Sequence, residues 1–198
     1  MAQHSMPWEK KYDESDVLDR AVGAFWEHGF EATSISTLVK ATGLNRGSLY
    51  AAFGDKRGLF LRALDHYDLT RKQHFLNALL ADQAPREAIR ALFRSVAEGS
   101  LEDKDRRGCL LVNTALELAP YDPEIERIVA DRLGEVEAFL LDRLQAAQTA
   151  GTVRPDLDAE NAARLLLSLF IGLRVITRSY PRAKVVDAIL DQVDAILG

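Results

Sequence analysis

One cysteine, Cys109, in a chain of 198 residues leaves no material for an intramolecular disulfide framework or for a multi-cysteine zinc site within the chain. No run approaches the roughly 18 consecutive apolar residues that a membrane-spanning helix needs, so no membrane partner is expected. Residues 1–16, MAQHSMPWEKKYDESD, lack the apolar middle of a secretory signal, and the expected compartment is the cytoplasm. An excess of positive charge is missing as well. With 25 Lys and Arg against 30 Asp and Glu the net charge is −5, which argues against a protein that coats nucleic acid without selectivity. Catalytic signatures are also lacking. No glutamate is followed three positions later by histidine, as a helical carboxylate metalloenzyme would require, and no phosphate-binding loop or nucleophile elbow is present. An enzyme is therefore disfavoured, and no metal or cofactor is expected.

What is there begins with the distribution of charge. Residues 34–62 carry five basic side chains (Lys40, Arg46, Lys56, Arg57, Arg62) and one acidic one (Asp55), against an acidic background on either side. A short positive stretch of this kind is a local electrostatic footprint for phosphate. Apolar residues recur at helical spacing nearly throughout, with no strict alternation of the strand type, so the chain is expected to be all-α. Val17, Leu18, Ala21, Val22 and Phe25 mark a first helix that ends near Gly29, a residue suited to a left-handed stop. Two short helices follow, roughly 35–41 and 45–53, and then a longer one from about residue 56 through the seventies. Asp122, Pro123 and Glu124 form a strong helix start, with a capping oxygen, a proline where no N–H is needed, and an acid favoured by the helix dipole. That helix should stop by Gly151. Residues 162–176, AARLLLSLFIGLRVI, are apolar almost all round and must be covered on more than one side. Val185, Val186, Ile189, Leu190, Val193, Ile196 and Leu197 make a final stripe.

The stretch that carries chemistry is 33–57, TSISTLVKATGLNRGSLYAAFGDKR. A helix-turn-helix needs a tight turn between two short helices and apolar residues at fixed offsets, so that the second helix is braced while its other face enters the major groove. Ile35, Leu38 and Val39 supply the first brace, Gly43 the turn, and Leu44, Leu49 and Phe53 the second brace. Asn45, Arg46, Ser48 and Tyr50 then face outward. Arg and Asn can read base edges bidentately, whereas Ser, Tyr and Lys suit phosphate. The bland alternatives are a solvated Arg46, a half-buried Tyr50 and a Lys40 with no contact. Lys10 and Lys11 precede the first helix and form either an arm reaching the minor groove or a plain tail.

Gly29-Phe30, Thr33-Ser34-Ile35, Thr42-Gly43-Leu44, Leu49-Tyr50, Phe53 and Lys56 stand in an order and spacing that resembles the tetracycline-repressor (TetR) family over about residues 14–62. The resemblance implies a three-helix DNA-binding domain over residues 1–56, with the third helix reading operator DNA and with Tyr50 and Lys56 on phosphates. The DNA-binding set is then Ser34, Ser36, Lys40, Asn45, Arg46, Gly47, Ser48, Tyr50 and Lys56. Val39 and Thr42 stand where alanine is common, and Thr37 replaces the acid that would complete a capping box with Ser34.

Beyond residue 56 the resemblance is one of helix number and order only. It implies a larger helical domain over residues 57–198 that dimerises and holds a small-molecule effector, about nine helices in the whole chain. Candidates for the effector site are Tyr67, Phe93, Cys109, Asn113, Glu117, Phe139, Phe170 and Arg174, each of which can also be ordinary core or surface. The resemblance also implies a homodimer through the last two helices, which matches their apolarity, with Leu166, Phe170, Leu173, Ile189, Val193 and Ile196 at the interface. Cys109 follows Arg106 and Arg107 at the start of a helix, which would favour a reactive thiolate; as a small buried hydrophobe it would be inert. The expected function is an effector-released repressor on a pseudo-palindromic operator. An activator of the same fold, a helical-bundle enzyme and an interaction module without DNA are the alternatives.

Overall fold

The computed structural model describes residues 12–79 and 83–198, with side chains described outside 72–79, 101 and 102. Among them are nine helices and no strand: α1 (Glu14–His28), α2 (Ile35–Thr42), α3 (Arg46–Phe53), α4 (Lys56–Leu79), α5 (Pro85–Glu102), α6 (Leu110–Glu117), α7 (Pro123–Thr149), α8 (Ala159–Ser179) and α9 (Ala183–Leu197). No helix among the described residues is long and apolar enough to cross a membrane. The chain divides into two compact units, one ending at Tyr67 and the other beginning at Asp68, with α4 running through the division. Lys10 and Lys11 lie outside the described residues.

In the first unit the inward stripe of α1 is fully used: Val17, Leu18, Ala21, Val22, Ala24 and Phe25 are all buried. Phe25 meets Phe60 of α4 edge to face, with ring centroids 5.0 Å apart, and Tyr67 meets Trp26 in the same way at 5.0 Å. Each such aromatic contributes roughly 1.5–3 kcal/mol through burial, with a further 0.5–1.5 kcal/mol or so from edge-to-face geometry. Asp13 caps α1 by accepting a hydrogen bond from the Ser15 N–H at 2.8 Å. The helix does stop at Gly29, but with φ 79° and ψ 171°, outside the left-handed helical well that the sequence suggests.

The second unit is a helical layer around α8. That helix packs on α5, α6, α7 and α9, and α5 also touches α7 and α9. Its core includes Ile89, Phe93 and Val96 of α5, Leu140 and Leu144 of α7, Leu166, Phe170 and Leu173 of α8, and Val186, Val193 and Leu197 of α9. Asp122 caps α7 as expected, accepting from the Glu124 and Ile125 N–H groups at 3.0 and 3.2 Å, with Pro123 in the first turn.

The expectation about α8 and α9 needs correction. Leu166, Leu173 and Val193 are at most 1% exposed and Phe170 is 8% exposed, so these four face the chain's own core and cannot offer surface to a second copy. The 3.6-residue period has a second apolar face on α8, which carries Leu165 at 50% and Val175 at 36% exposure. Ile189 and Ile196 of α9 are half-buried.

Candidate nucleic-acid interface

The interface candidate is built from α2, the Gly43 turn and α3. Ser34 starts α2 by accepting a hydrogen bond from the Thr37 N–H at 3.0 Å, and its hydroxyl also meets those of Thr37 at 2.9 Å and Ser36 at 2.7 Å. Three hydroxyls thus converge on the first turn of α2, where a glutamate would otherwise complete the capping box. At the other end Gly43 takes a left-handed conformation, φ 74°, which lets the chain reverse without a Cβ clash. Thr42, buried where an alanine is common, donates its hydroxyl to the Leu38 carbonyl at 2.7 Å and accepts from the Leu44 N–H at 3.3 Å. Its polar group is therefore satisfied on both sides of the turn.

Asn45 is the N-cap of α3, its Oδ1 accepting from the Ser48 N–H at 2.9 Å. That acceptor is engaged by the backbone, leaving the amide NH2 as the side chain's free donor, whereas bidentate reading of adenine needs both ends of the carboxamide. Arg46 opens the helix. Its guanidinium lies 5.5 Å from the centroid of the Tyr50 ring and donates to the Tyr50 hydroxyl at 3.4 Å. Of the bracing residues only Leu38 and Leu49 are buried, while Ile35, Val39, Leu44 and Phe53 are half-buried. Ser36, Lys40, Asn45, Arg46, Gly47 and Tyr50 are exposed and Ser48 is half-buried. Ala51 and Ala52, absent from the sequence-based set, are exposed on the same helix. Small side chains there carry no chemical signal in the sequence.

Past α3 the backbone is tight. A Cβ at Gly58 would lie 2.1 Å from the Phe53 carbonyl oxygen, so only glycine fits in this first turn of α4. Asp55 accepts from the Gly58 N–H at 2.7 Å. Lys56 reaches back to the turn after α1: its ammonium donates to the Phe30 carbonyl at 2.9 Å and the Glu31 carbonyl at 3.4 Å, and sits 4.3 Å from the centroid of the Phe30 ring.

The effector-site candidates are scattered. Phe93 and Phe170 meet edge to face at 6.2 Å, and the Arg174 guanidinium lies 5.3 Å from the Phe170 ring centroid, so three of them form one group in the second unit. Phe139 is half-buried against the same core. Asn113 donates to the Arg107 carbonyl at 2.9 Å, closing the loop ahead of α6, and Glu117 is half-buried at that helix's end. Tyr67 belongs to the first unit. Cys109 is the N-cap residue of α6, 7% exposed and without a side-chain capping bond, while Arg107 pairs with Asp103 at 3.4 Å.

Two short helices joined through a left-handed glycine, the second turning Arg46 and Tyr50 outward, define a helix-turn-helix regulator. The chain belongs to the TetR family. The family model for "Bacterial regulatory proteins, tetR family" matches residues 17–63, and the one for "Tetracyclin repressor-like, C-terminal domain" matches residues 85–193. The HTH-type transcriptional repressor ComR of Escherichia coli is 31% identical over 85% of this chain and 81% of its own length. The HTH-type transcriptional regulator YezE of Bacillus subtilis is 32% identical over 96% of both chains. Among solved structures, a cysteine-substituted form of the TetR family regulator CifR, complexed with 26-bp double-strand operator DNA, superposes with a TM-score of 0.80 at 29% identity, covering 97% of this chain and 98% of that one. The protein is thus a DNA-binding transcriptional regulator of this family.

Proposed function

We propose that the protein is a homodimeric repressor that binds a pseudo-palindromic operator through residues 1–56 and is released by a small-molecule effector held within residues 57–198. The observation that carries the reading is the outward face of α3. Arg46 and Tyr50 stand exposed in the one basic stretch of an acidic chain, on a helix whose single buried residue is Leu49. Arg46 and the Asn45 amide are assigned to base edges. Ser34, Ser36, Lys40, Ser48 and Tyr50 are assigned to phosphate, and Gly47 lets the backbone approach closely. Lys56 completes the set. The repressor name borne by ComR and the operator DNA bound by CifR support the same reading. The protein acts by binding rather than catalysis, in the cytoplasm.

The exposed Leu165 and Val175 support a dimer through α8, flanked by Ile189 and Ile196 of α9. Two-fold symmetry then sets two half-sites about one helical turn of DNA apart, roughly 34–36 Å. For the effector, the group formed by Phe93, Phe170 and Arg174 is the focus, and a ligand preferring one core arrangement needs a coupling of only about 1–3 kcal/mol to weaken operator binding 5- to 150-fold or so.

Selection of duplexes from a randomised pool, followed by mobility shift with unlabelled competitor, tests the DNA reading. Enrichment of a two-fold symmetric sequence is expected. Failure to enrich any sequence would refute it. A metabolite screen by thermal shift, with hits tested for release of the enriched duplex, tests the effector, and a broad screen without a releasing ligand would count against that part alone.

A further inference from the structure

The geometry points to Ala51 as a specificity-determining residue: its methyl group reads the 5-methyl of a thymine on the floor of the major groove, where Gly47 lets the helix come close. The inference rests on the DNA-binding reading and adds to its site a residue which that reading leaves out.

Leu49, the single buried residue of α3, fixes which way the helix faces. At 3.6 residues per turn each position advances about 100°, so Gly47 and Ala51 each lie about 160° round from Leu49, on either side of the point opposite it. Both are exposed. Arg46 and Tyr50 lie about 60° and about 100° round on one flank, and Ala52 and Ser48 lie by the same angles on the other. The Arg46 guanidinium is drawn along its own flank to the Tyr50 ring, 5.5 Å from the centroid, and so lies beside the outer ridge rather than over it. The part of α3 farthest from the core therefore carries nothing longer than one methyl group.

Glycine at position 47 is an independent sign that another surface comes close there. Its φ is not positive, and a Cβ built on it would meet only the Asn45 Oδ1, at an ordinary 3.4 Å. Among the described residues nothing calls for glycine at this point, and glycine destabilises a helix relative to alanine. The major groove, about 12 Å wide and about 8.5 Å deep, admits a helix, and a ridge without long side chains lets this one sit deep. The floor of that groove presents one apolar group, the 5-methyl of thymine. The other base edges present polar atoms that a methyl group cannot satisfy, so contact with the Ala51 methyl selects thymine. Attraction between two such groups falls by a quarter to a half over a gap of about 0.5–1 Å, so the ridge must be held firmly. The frame behind it does so. Thr33 is fully buried directly ahead of the Ser34 cap, and beyond α3 there is no room for a Cβ at Gly58.

The test removes a methyl group from either side of the contact. In a duplex enriched by the wild-type protein, each thymine is replaced in turn by 2′-deoxyuridine, which lacks only the 5-methyl. Affinities are compared by competition at one salt concentration, because salt alone shifts them. At one thymine in each half-site the wild type should bind about fourfold more weakly per methyl removed, the factor expected for one buried methyl group. Ala51→Gly should weaken binding to the unmodified duplex by a similar factor per half-site, and should no longer distinguish thymine from deoxyuridine there. That loss of distinction is the coupling a double-mutant cycle reads. Ala51→Ser keeps the bulk but presents a hydroxyl, should lose the distinction likewise, and carries the cycle if the glycine variant does not fold. Gly47→Ala should melt no lower than the wild type, since the chain has room for the Cβ, yet bind the enriched duplex about tenfold more weakly or worse, because the added methyl holds the helix off the groove. Deoxyuridine tolerated at every thymine, half-sites enriched without thymine, or equal sensitivity to deoxyuridine in the Ala51 variants and the wild type overturns the inference. Unchanged binding by Gly47→Ala overturns it too. In each of these cases the DNA-binding reading stands; if the wild type enriches no duplex at all, that reading falls and takes this inference with it.

Discussion

Arg46 and Tyr50 lie one helical turn apart and touch: the guanidinium is 5.5 Å from the centroid of the phenol ring and donates to its hydroxyl at 3.4 Å. The contact restricts the arginine on the outward face of α3, and on the proposed reading it would lower the rotamer entropy lost when the guanidinium meets a base. Arg46→Ala should relax preference at particular base pairs by about 1–3 kcal/mol, whereas Tyr50→Phe should weaken all duplexes alike by about 1 kcal/mol. Competition titrations with singly substituted operators check both. Loss of base preference from Tyr50→Phe as large as that from Arg46→Ala would contradict the division of roles.

Asn45→Ala tests the cap. Loss of the bond from Ser48 should destabilise the first unit by about 0.5–2 kcal/mol, read as a lower melting temperature without DNA. Unchanged stability would mean that the carboxamide is free to act on bases in full.

The dimer reading separates two leucines of α8. Leu165→Glu places a charge on exposed surface and should leave helicity intact while shifting light scattering from dimer to monomer. Leu173→Glu buries a carboxylate in the chain's own core and should unfold it, at a cost of at least about 3–5 kcal/mol. A folded Leu165→Glu dimer would move the interface elsewhere.

Cys109 is buried at the start of α6. Its thiol should react with an aromatic disulfide reagent only slowly in the native protein and fully once unfolded, because it is 7% exposed. Cys109→Ser should lower stability by about 1–3 kcal/mol, and peroxide should alter DNA affinity no more in the wild type than in the variant. A wild-type-specific loss of affinity on oxidation would reverse the assignment.

Helix positions were legible because their signals are local. Ser34, Asp122 with Pro123, and Gly43 each act within four residues of where they stand, and the structure uses all three. Asn45 as a cap was equally local, yet its residue type also suits base reading, and sequence cannot apportion one carboxamide between the two. The interior side of α8 was harder. An apolar stripe states that a face must be covered, not whether the chain or its copy covers it, so Leu166 and Leu173 were indistinguishable from Leu165. The reach of Lys56 to Phe30, 26 positions away, depends on three-dimensional closure and left no trace in spacing.

The economy of α3, one buried leucine among eight residues, bears on how such a protein changes over time. Substitutions at its outward positions meet solvent rather than core, so on the proposed reading they would alter which DNA is read at little thermodynamic penalty. Gly58 and Thr33 allow no such freedom. On the proposed reading, operator preference can drift or be re-engineered as a cassette, by randomising Arg46, Ala51 and Ala52, while the frame that presents the helix is held nearly invariant.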